Sequence, residues 1–343
     1  MNVVLAYLAH NQERLRLGQF GGINGLSCLF ITPRFRASAH VVCIVLSVAD
    51  QRPLFVAKMP RLPERVEGLA HEANMLSLVQ RSRPGGFDTV PRALMFESFR
   101  GWPILLETAL VGEPMSPNVV RRNPEWCVNL VTDWLIDLHN ATAAPTSQNE
   151  WFRRAVEQPL AALTNGLPAT ATQERDLCAR TLAEAEKLRD YLVPFVFEHG
   201  DLSHPNILIM PTGRAGVVDW ELATPWGVPV ADLIFFLTFV AFARHRAHER
   251  ERHVEAFQTA FFGEETWARN AVRRYMKAMC LPTRALPALV VLGWARYVAG
   301  LVQRLAAGTP NGRLDEKTVA WLRTNRYYRL WRWTLEHAEA FTL

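Results

Sequence analysis

The chain has 343 residues, which is longer than a single hydrophobic core usually fills, so its length predicts two lobes. It is 49% hydrophobic and 21% charged, a composition that excludes collagen-like, low-complexity and extensively disordered proteins. The formal net charge of +5 favours anionic ligands. Nucleic acid is not an expected partner, because the sequence has no zinc-finger spacing, RNA-binding aromatic motif or dense block of Lys and Arg.

The chain is expected to be a soluble, cytoplasmic protein. Its five cysteines are scattered and form no CxxC pair, which is typical of reduced thiols. The N-terminal apolar stretch has no basic region before it, so no signal peptide is predicted. Residues 286–305 are apolar, but they include Arg296 and Arg304, which are costly at membrane depth. No membrane partner is therefore expected.

The first hundred residues have the pattern of a small antiparallel sheet with one helix. Strands rich in apolar and β-branched residues are predicted at 26–32, 41–48 and 53–59. A helix is predicted from Glu64 to Arg81, because apolar residues recur there at helical spacing. Two further strands are predicted at 93–99 and 103–107.

A Gly- and Pro-rich connector at 108–117 is the predicted domain boundary. It separates an N-lobe of residues 1–107 from a mostly helical C-lobe of residues 118–343. Within the C-lobe, helices are predicted at 125–142 and 173–191, and four or five more from residue 232 to the end. Residues 193–221 form a strand-and-loop interruption. The expected fold class is α+β with two lobes.

The residues that indicate chemistry lie in this interruption. Gly200 permits a tight turn after an apolar strand, so Asp201 is predicted to point into a cleft, where a carboxylate accepts the proton of a hydroxyl. Asp219 ends the strand that returns from a hairpin and is thereby placed beside Asn206. Oxygen ligands of this kind suit Mg²⁺ rather than zinc. Phosphoryl transfer needs an aligned hydroxyl, a carboxylate and a metal held against phosphates.

The same residues resemble a known family. His-x-Asp, four residues and Asn at 199–206, followed by Asp219, resemble a kinase catalytic loop and its metal-binding aspartate. The Gly in His-Gly-Asp, the Asp-Trp-Glu at 219–221 and the stretch at 227–233 are similar to the aminoglycoside phosphotransferase and choline kinase families. This resemblance implies a protein-kinase-like fold, ATP and Mg²⁺ as cofactors, and γ-phosphoryl transfer to a hydroxyl of a small molecule. Asp201 would be the base, and Asn206 and Asp219 would hold the metal.

The resemblance also implies roles in the N-lobe. Lys58 resembles the third-strand lysine that contacts the α- and β-phosphates. Its expected partner is Glu72 on the following helix, with Glu64 and Glu67 as alternatives. The backbone carbonyl of Glu107 and the N–H of Ala109 would meet the adenine edge.

Two segments are candidates for the phosphate-covering loop, and each gives a different register for it. Between the first two strands, Ser38 and nearby backbone N–H groups would bind the β-phosphate, with Arg34 or Arg36 adding charge. The alternative register gives this role to the glycines within residues 18–25, chiefly 21–25.

The charge of the C-terminal region bears on the substrate. Residues 241–343 contain 17 Lys and Arg against 9 Asp and Glu. A site for polycationic aminoglycosides would be expected to carry carboxylates. The excess of basic residues therefore favours a non-cationic sugar, nucleoside or other metabolite.

Other interpretations remain open at this stage. The two aspartates are turn formers in the simplest alternative. A nucleotide-binding pseudokinase that acts as a regulatory or scaffold module is the main functional alternative. A zinc pair of His199 and His204 lacks a third ligand, and a protein kinase lacks the expected Ala-Pro-Glu segment after Asp219. The sequence makes no prediction of oligomeric state.

Overall fold

The computed structural model describes residues 2–32 and 40–341, without the side chains of residues 249 and 250. Contacts divide the chain into two compact units. The first unit is Met1–Met115 with Pro205–Ala223, and the second is Ser116–His204 with Thr224–Leu343. The break after residue 115 falls inside the predicted connector. Residues 205–223, however, belong by contact to the first unit, whereas the sequence analysis assigned them to the helical lobe.

The first unit is built on a five-stranded antiparallel sheet with the strand order β1-β2-β3-β5-β4. The helix α1 (Val3–His10) packs on one face in a core with Val45 and Ile104, and the helix α2 (Glu67–Arg81) contributes Leu69 and Ala73 to a separate cluster around Leu105. The strands are β1 (Leu26–Ile31), β2 (His40–Ser47), β3 (Pro53–Pro60), β4 (Ala93–Phe99) and β5 (Trp102–Thr108).

The predicted strands of this sheet are confirmed, and the predicted helix is shorter than expected. α2 begins at Glu67 rather than at Glu64. The reason is a turn in which the Arg65 N–H donates to the Leu62 carbonyl at 3.0 Å, so the backbone before residue 66 is bonded outside the helix.

Five short strands follow: β6 (Glu113–Pro114), β7 (Val196–Glu198), β8 (Ile207–Ile209), β9 (Ala215–Val217) and β10 (Thr224–Gly227). In the first unit, β8 pairs with both β6 and β9, and the Val217 N–H donates to the Thr89 carbonyl at 2.8 Å. These bonds explain why residues 205–223 belong to this unit. In the second unit, β7 pairs with β10.

The second unit is mostly helical. From residue 231 onwards the described residues form seven α-helices, where the sequence predicted four or five. One break that the sequence analysis missed lies at Asn325, whose side chain accepts the Tyr327 N–H at 2.9 Å and starts a new helix. The helices are α3 (Pro117–Arg122), α4 (Pro124–Thr142), α5 (Gln148–Phe152), α6 (Gln158–Gly166), α7 (Thr172–Glu186), α8 (Ala231–Arg244), α9 (Ala247–Arg250), α10 (His253–Phe262), α11 (Trp267–Ala278), α12 (Leu286–Ala306), α13 (Glu316–Thr324) and α14 (Arg326–Glu336).

One segment of the described residues is long and apolar enough to cross a membrane. It is Thr283–Ala306, with a mean hydropathy of 1.7, and it contains α12. Its most apolar window is 67% buried, and α12 packs against α6 and α14. A core helix of a soluble protein passes the same test, so the segment is weak evidence for a membrane span.

The contact between α6 and α12 leads to a stability prediction. A Cβ on Gly166 would lie 2.7 Å from Val302 Cγ1, whereas a Cβ on Gly300 of α12 would approach only the end of the Arg304 side chain, at 3.4 Å. We expect Gly166→Ala to destabilise the protein by about 1–3 kcal/mol, because it overpacks this contact. Gly300→Ala should stabilise it by about 0.5–1 kcal/mol through its helix propensity. Urea unfolding of the two variants should give shifts of opposite sign; equal shifts would contradict the packing.

Candidate active site

A buried lysine with three carboxylates around it lies in the first unit. Lys58 Nζ contacts Glu72 Oε1 at hydrogen-bond distance and lies 3.5 Å from both Glu107 Oε1 and Asp219 Oδ1. Glu72 is fully buried and Glu107 nearly so, while the Asp219 side chain is 45% exposed. The Trp220 N–H also donates to Glu72 Oε1, at 3.0 Å. Glu72 therefore holds both the lysine and the backbone that follows Asp219.

Strand alternation places these groups together. In β3, Phe55, Ala57 and Met59 belong to the core cluster that includes α1, so Lys58 points to the opposite face, towards α2. The register pairs Lys58 with Leu105 of β5. Glu107 lies two residues beyond Leu105 and so shares its face.

The charges in this cluster influence one another strongly. Burial disfavours the charged form of Lys58, but the charges of Glu107, Glu72 and Asp219 outweigh that effect and raise the pKa of Lys58 above its ordinary value. Burial, together with the charges of Glu72 and Asp219, raises the pKa of Glu107 to about 8 against the opposing effect of Lys58. Lys58 therefore stays charged near neutral pH, and Glu107 takes up a proton more readily than an exposed glutamate does.

The hairpin of β8 and β9 brings the backbone of Asn206, just before β8, close to that of Asp219, shortly after β9. The Val218 N–H donates to the Asn206 carbonyl at 3.0 Å, so the residue before Asp219 lies against Asn206. Asp219 itself has a φ of +71°, a left-handed conformation that is uncommon for residues other than glycine. Such conformations persist where the surroundings hold them, and they concentrate at functional sites.

The predicted base lies in the second unit, on the loop after β7. Gly200 has a φ of +80°, which makes the turn that the sequence predicted. The buried carboxylate of Asp232 accepts the His199 N–H at 2.6 Å and the Gly200 N–H at 3.0 Å. The Asp201 N–H donates to His199 Nδ1 at 3.2 Å. The loop backbone around Asp201 is thus held by one carboxylate and one imidazole.

Asp232 was not given a role by the sequence analysis, although the stretch that contains it was noted. Burial, with a further contribution from the charge of Glu198, raises the pKa of Asp232 to about 8, and the two backbone N–H donors oppose that rise. The available signal was an aspartate at the start of α8, whose residues Leu233 to Ala243 are all buried. A carboxylate at such a position needs buried donors.

The anchoring of the loop gives a second prediction. Asp232→Asn keeps one acceptor but turns an amide towards a backbone N–H, so we expect a loss of about 1–3 kcal/mol in the free energy of unfolding. Asp133→Asn is the matched control, since Asp133 is 67% exposed and its ion pair among the described residues is with Arg274. Urea unfolding should separate the two variants; equal stabilities would show that Asp232 does not anchor the loop.

The adenine contacts inferred from the resemblance do not match the structure at Ala109. The Ala109 N–H donates to the Leu54 carbonyl at 3.2 Å and extends the pairing of β3 with β5, so it is not available to a base. The Glu107 side chain, which the sequence analysis left without a role, is turned inward to Lys58. All of Ile104 to Glu107 is buried, so alternation in the sequence did not reveal which face Glu107 takes.

The structure bears differently on the two segments that were candidates for the phosphate-covering loop. Ser38, Arg34 and Arg36 lie outside the described residues. In the alternative register, the N–H groups of Gly21, Gly22 and Gly25 donate to carbonyls within residues 17–22 at 3.0–3.2 Å, so these amides are not available to a phosphate. That register is therefore not supported.

The two units define a protein of kinase-like fold, with an antiparallel sheet that carries a lysine–glutamate pair and a helical unit that carries the His-Gly-Asp loop. The chain belongs to the phosphotransferase enzyme family, whose model matches residues 45–271. The predicted fold class and the resemblance to aminoglycoside phosphotransferases and choline kinases are confirmed.

Solved structures show the same fold. An ethanolamine kinase from Plasmodium vivax is 11% identical with a TM-score of 0.55, and the match covers 96% of this chain and 90% of that one. The choline kinase LicA from Streptococcus pneumoniae is 12% identical with a TM-score of 0.51, over 95% of this chain and 99% of that one. LicA in complex with AMP is 13% identical with a TM-score of 0.53, and the match covers 98% of this chain and 100% of that one. The comparison with curated proteins gives no match.

Proposed function

We propose that this protein is a cytoplasmic, ATP-dependent O-phosphotransferase that transfers the γ-phosphoryl group to a hydroxyl of a small molecule. The family supplies the reaction class. The observation that carries the proposal is the clamp on Lys58, which is held between buried Glu72 and half-exposed Asp219. A lysine fixed in this way offers a permanent positive charge beside a carboxylate that is accessible to a ligand.

The first unit would bind the phosphates. Lys58 keeps its charge, because the carboxylates around it raise its pKa. It would orient the α- and β-phosphates as a point charge, and Glu72 would fix the position of its ammonium group. The AMP-bound LicA structure agrees with nucleotide use in a protein of this fold.

Asn206 and Asp219 fit a magnesium ion by the chemistry of their donors. Both offer oxygen, and the bond from Val218 N–H to the Asn206 carbonyl keeps the two residues close. The described residues contain no group of three or more His, Cys, Asp or Glu side chains that could hold a metal. A site with two protein oxygens suits Mg²⁺, which keeps several waters and takes further oxygens from phosphates. Bound there, Mg²⁺ would neutralise charge that develops on the phosphates.

The second unit would provide the base. Asp201 accepts the proton of the substrate hydroxyl while the hydroxyl oxygen bonds to the γ-phosphorus and the bond from that phosphorus to the bridging oxygen breaks. ADP leaves with the electrons of the broken bond. His199 and Asp232 act on the loop backbone, so we assign them no proton transfer.

The acceptor remains a non-cationic hydroxyl compound in this proposal. The basic excess in residues 241–343 supports it. Choline and ethanolamine, for which two structural neighbours are named, are cationic alcohols and serve as the contrasting test compounds. The pseudokinase alternative gains no support from the family match.

The test is turnover with a panel of hydroxyl compounds. The purified protein is incubated with Mg²⁺-ATP and each compound, and ADP release is measured against a sample without acceptor. We expect at least one acceptor to raise ADP release in the wild type and not in Asp201→Asn. The proposal fails if no acceptor does so and the two proteins behave identically.

A further inference from the structure

An aromatic cluster lies close to Asp201 in the second unit. Tyr297 lines a small cavity whose wall includes Gly200, the residue before Asp201. The Tyr297 ring lies 4.4 Å from the Tyr327 ring, measured between centroids, and both rings stack on Phe235. Burial chiefly raises the pKa of Tyr297 and of Tyr327, and the charge of Asp201 contributes to both shifts. The two phenols are therefore within electrostatic reach of the proposed base.

Arg326 stands beside this cluster, at the start of α14. Its Nη2 donates to the Tyr327 hydroxyl at 2.7 Å, and its guanidinium carbon lies 4.7 Å from the centre of the Tyr327 ring and 5.4 Å from that of Phe239. Its Nη1 lies 3.4 Å from His248 Nδ1. Its Nε is buried without a hydrogen-bond partner among the described residues.

The contacts of Arg326 with other described side chains are all with uncharged groups. A guanidinium group can only donate, so His248 Nδ1 must be the acceptor. The same Nδ1 lies 3.2 Å from His253 Nε2, which must therefore carry the proton of that bond. Burial first, and then the charge of Arg326, lowers the pKa of His253 to about 4 and the pKa of His248 below its ordinary value. Both imidazoles are consequently neutral near pH 7.

Two other arginines of the second unit, in contrast, have a carboxylate partner. Arg296 pairs with Glu198 at 3.2 Å, and Arg323 pairs with the buried Glu174 at 2.7 Å. Among the side chains that the structure describes, no ion pair joins Arg326 to a carboxylate. A partly buried guanidinium without a counter-charge is unfavourable, because desolvation is not offset by an anion.

We propose that Arg326 is a specificity-determining residue that binds an oxyanion, a carboxylate or a phosphate monoester, carried by the hydroxyl-bearing substrate. This inference rests on the proposed function. Each Nη group of Arg326 has a second N–H beyond the one that contacts His248 or Tyr327, and this planar fork can donate to one oxyanion in bidentate geometry. Tyr327 connects this fork to the aromatic cluster near Asp201. The substrate would thus present its anionic group to Arg326 and its hydroxyl to Asp201.

The test uses matched ligands that differ in charge, with ligand binding measured by calorimetry on the full-length protein in the absence of ATP. Glycerol, glycerate and glycerol 3-phosphate form one set, and glucose, gluconate and glucose 6-phosphate form another. We expect the carboxylate or the phosphate monoester of a set to bind more tightly than the neutral compound of that set. Whichever of the two binds more tightly identifies the oxyanion. Arg326→Gln should weaken that binding by about 10- to 100-fold, the usual contribution of a hydrogen bond to a charged group, and leave the neutral member unchanged.

Arg332→Gln is the control, because Arg332 lies on the same helix, is half exposed and pairs with Glu336 at 2.9 Å. It should leave every affinity unchanged. Equal or undetectable binding of the members of both sets overturns the proposal, and so does an equal loss for neutral and anionic ligands in Arg326→Gln, which would indicate a structural role. Because the titration needs no turnover, this result is independent of whether the protein transfers phosphate. With an accepted substrate, the loss should appear in KM rather than in kcat.

Discussion

Asp201→Asn is expected to lower kcat by about 10²- to 10⁴-fold with any accepted substrate, the range by which a positioned general base accelerates a reaction. Asparagine has the same shape but cannot accept the hydroxyl proton. The backbone bond from the Asp201 N–H to His199 Nδ1 does not involve the replaced side chain, so the loop should keep its conformation. ATP affinity and stability should therefore stay close to those of the wild type.

The measurement is steady-state ADP release, with nucleotide affinity and urea unfolding determined in parallel. Asp176→Asn serves as the control, since Asp176 is 67% exposed and pairs only weakly with Arg180, at 3.8 Å. Its kcat should equal that of the wild type. If the two variants turn over an accepted substrate at the same rate, Asp201 is not the base.

Lys58→Met is expected to destabilise the protein by about 3–5 kcal/mol, because it removes one partner of a buried ion pair and leaves the other uncompensated. Glu72 is fully buried and, among the described residues, would keep the Trp220 N–H as its donor. Nucleotide affinity should fall as well, since the charge that is proposed to orient the phosphates is lost.

A second substitution separates these two effects. Adding Glu72→Gln to Lys58→Met removes the uncompensated charge and keeps an oxygen for the Trp220 N–H, so much of the stability should return while nucleotide binding does not. Lys317→Met is the control, because Lys317 is an exposed residue of α13. Urea unfolding and nucleotide titration measure the outcome. A double variant that is no more stable than Lys58→Met would show that the pair is not the cause.

The oxyanion contact proposed for Arg326 predicts an acceptor that differs in charge from choline and ethanolamine, which are named for two structural neighbours of this chain. Those neighbours share its fold at 11–13% identity, which carries no information on the acceptor. The acceptor must instead be inferred from the residues near the proposed base. In the second unit they include Glu198 and Asp232 around Gly200, and two tyrosines that lead to Arg326, whose described contacts are with uncharged side chains.

The sequence by itself determined the elements and groups that depend on near neighbours in the chain. The helical spacing of Leu69, Ala73 and Leu76 predicted α2, and the alternation of apolar strands predicted the sheet. The turn at Gly200 followed from a glycine after a strand, and the proximity of Asn206 and Asp219 from a hairpin. These features arise from interactions over a few residues, so a local pattern specifies them.

Only the tertiary structure decided which distant groups meet. Glu107 joins Lys58 because β5 pairs with β3 in one register and both face α2, whereas the uniformly buried Ile104 to Glu107 gave no indication of a face. The Ala109 N–H is taken by Leu54 because the pairing runs one residue further than the strand pattern showed. Asp232 holds a loop more than thirty residues before it, and Arg326 contacts Tyr327 and His248 rather than a described carboxylate. Such contacts depend on the register of strands and the packing of helices. Both are fixed by the burial of apolar surface between segments that are distant in the chain, so no local pattern encodes them.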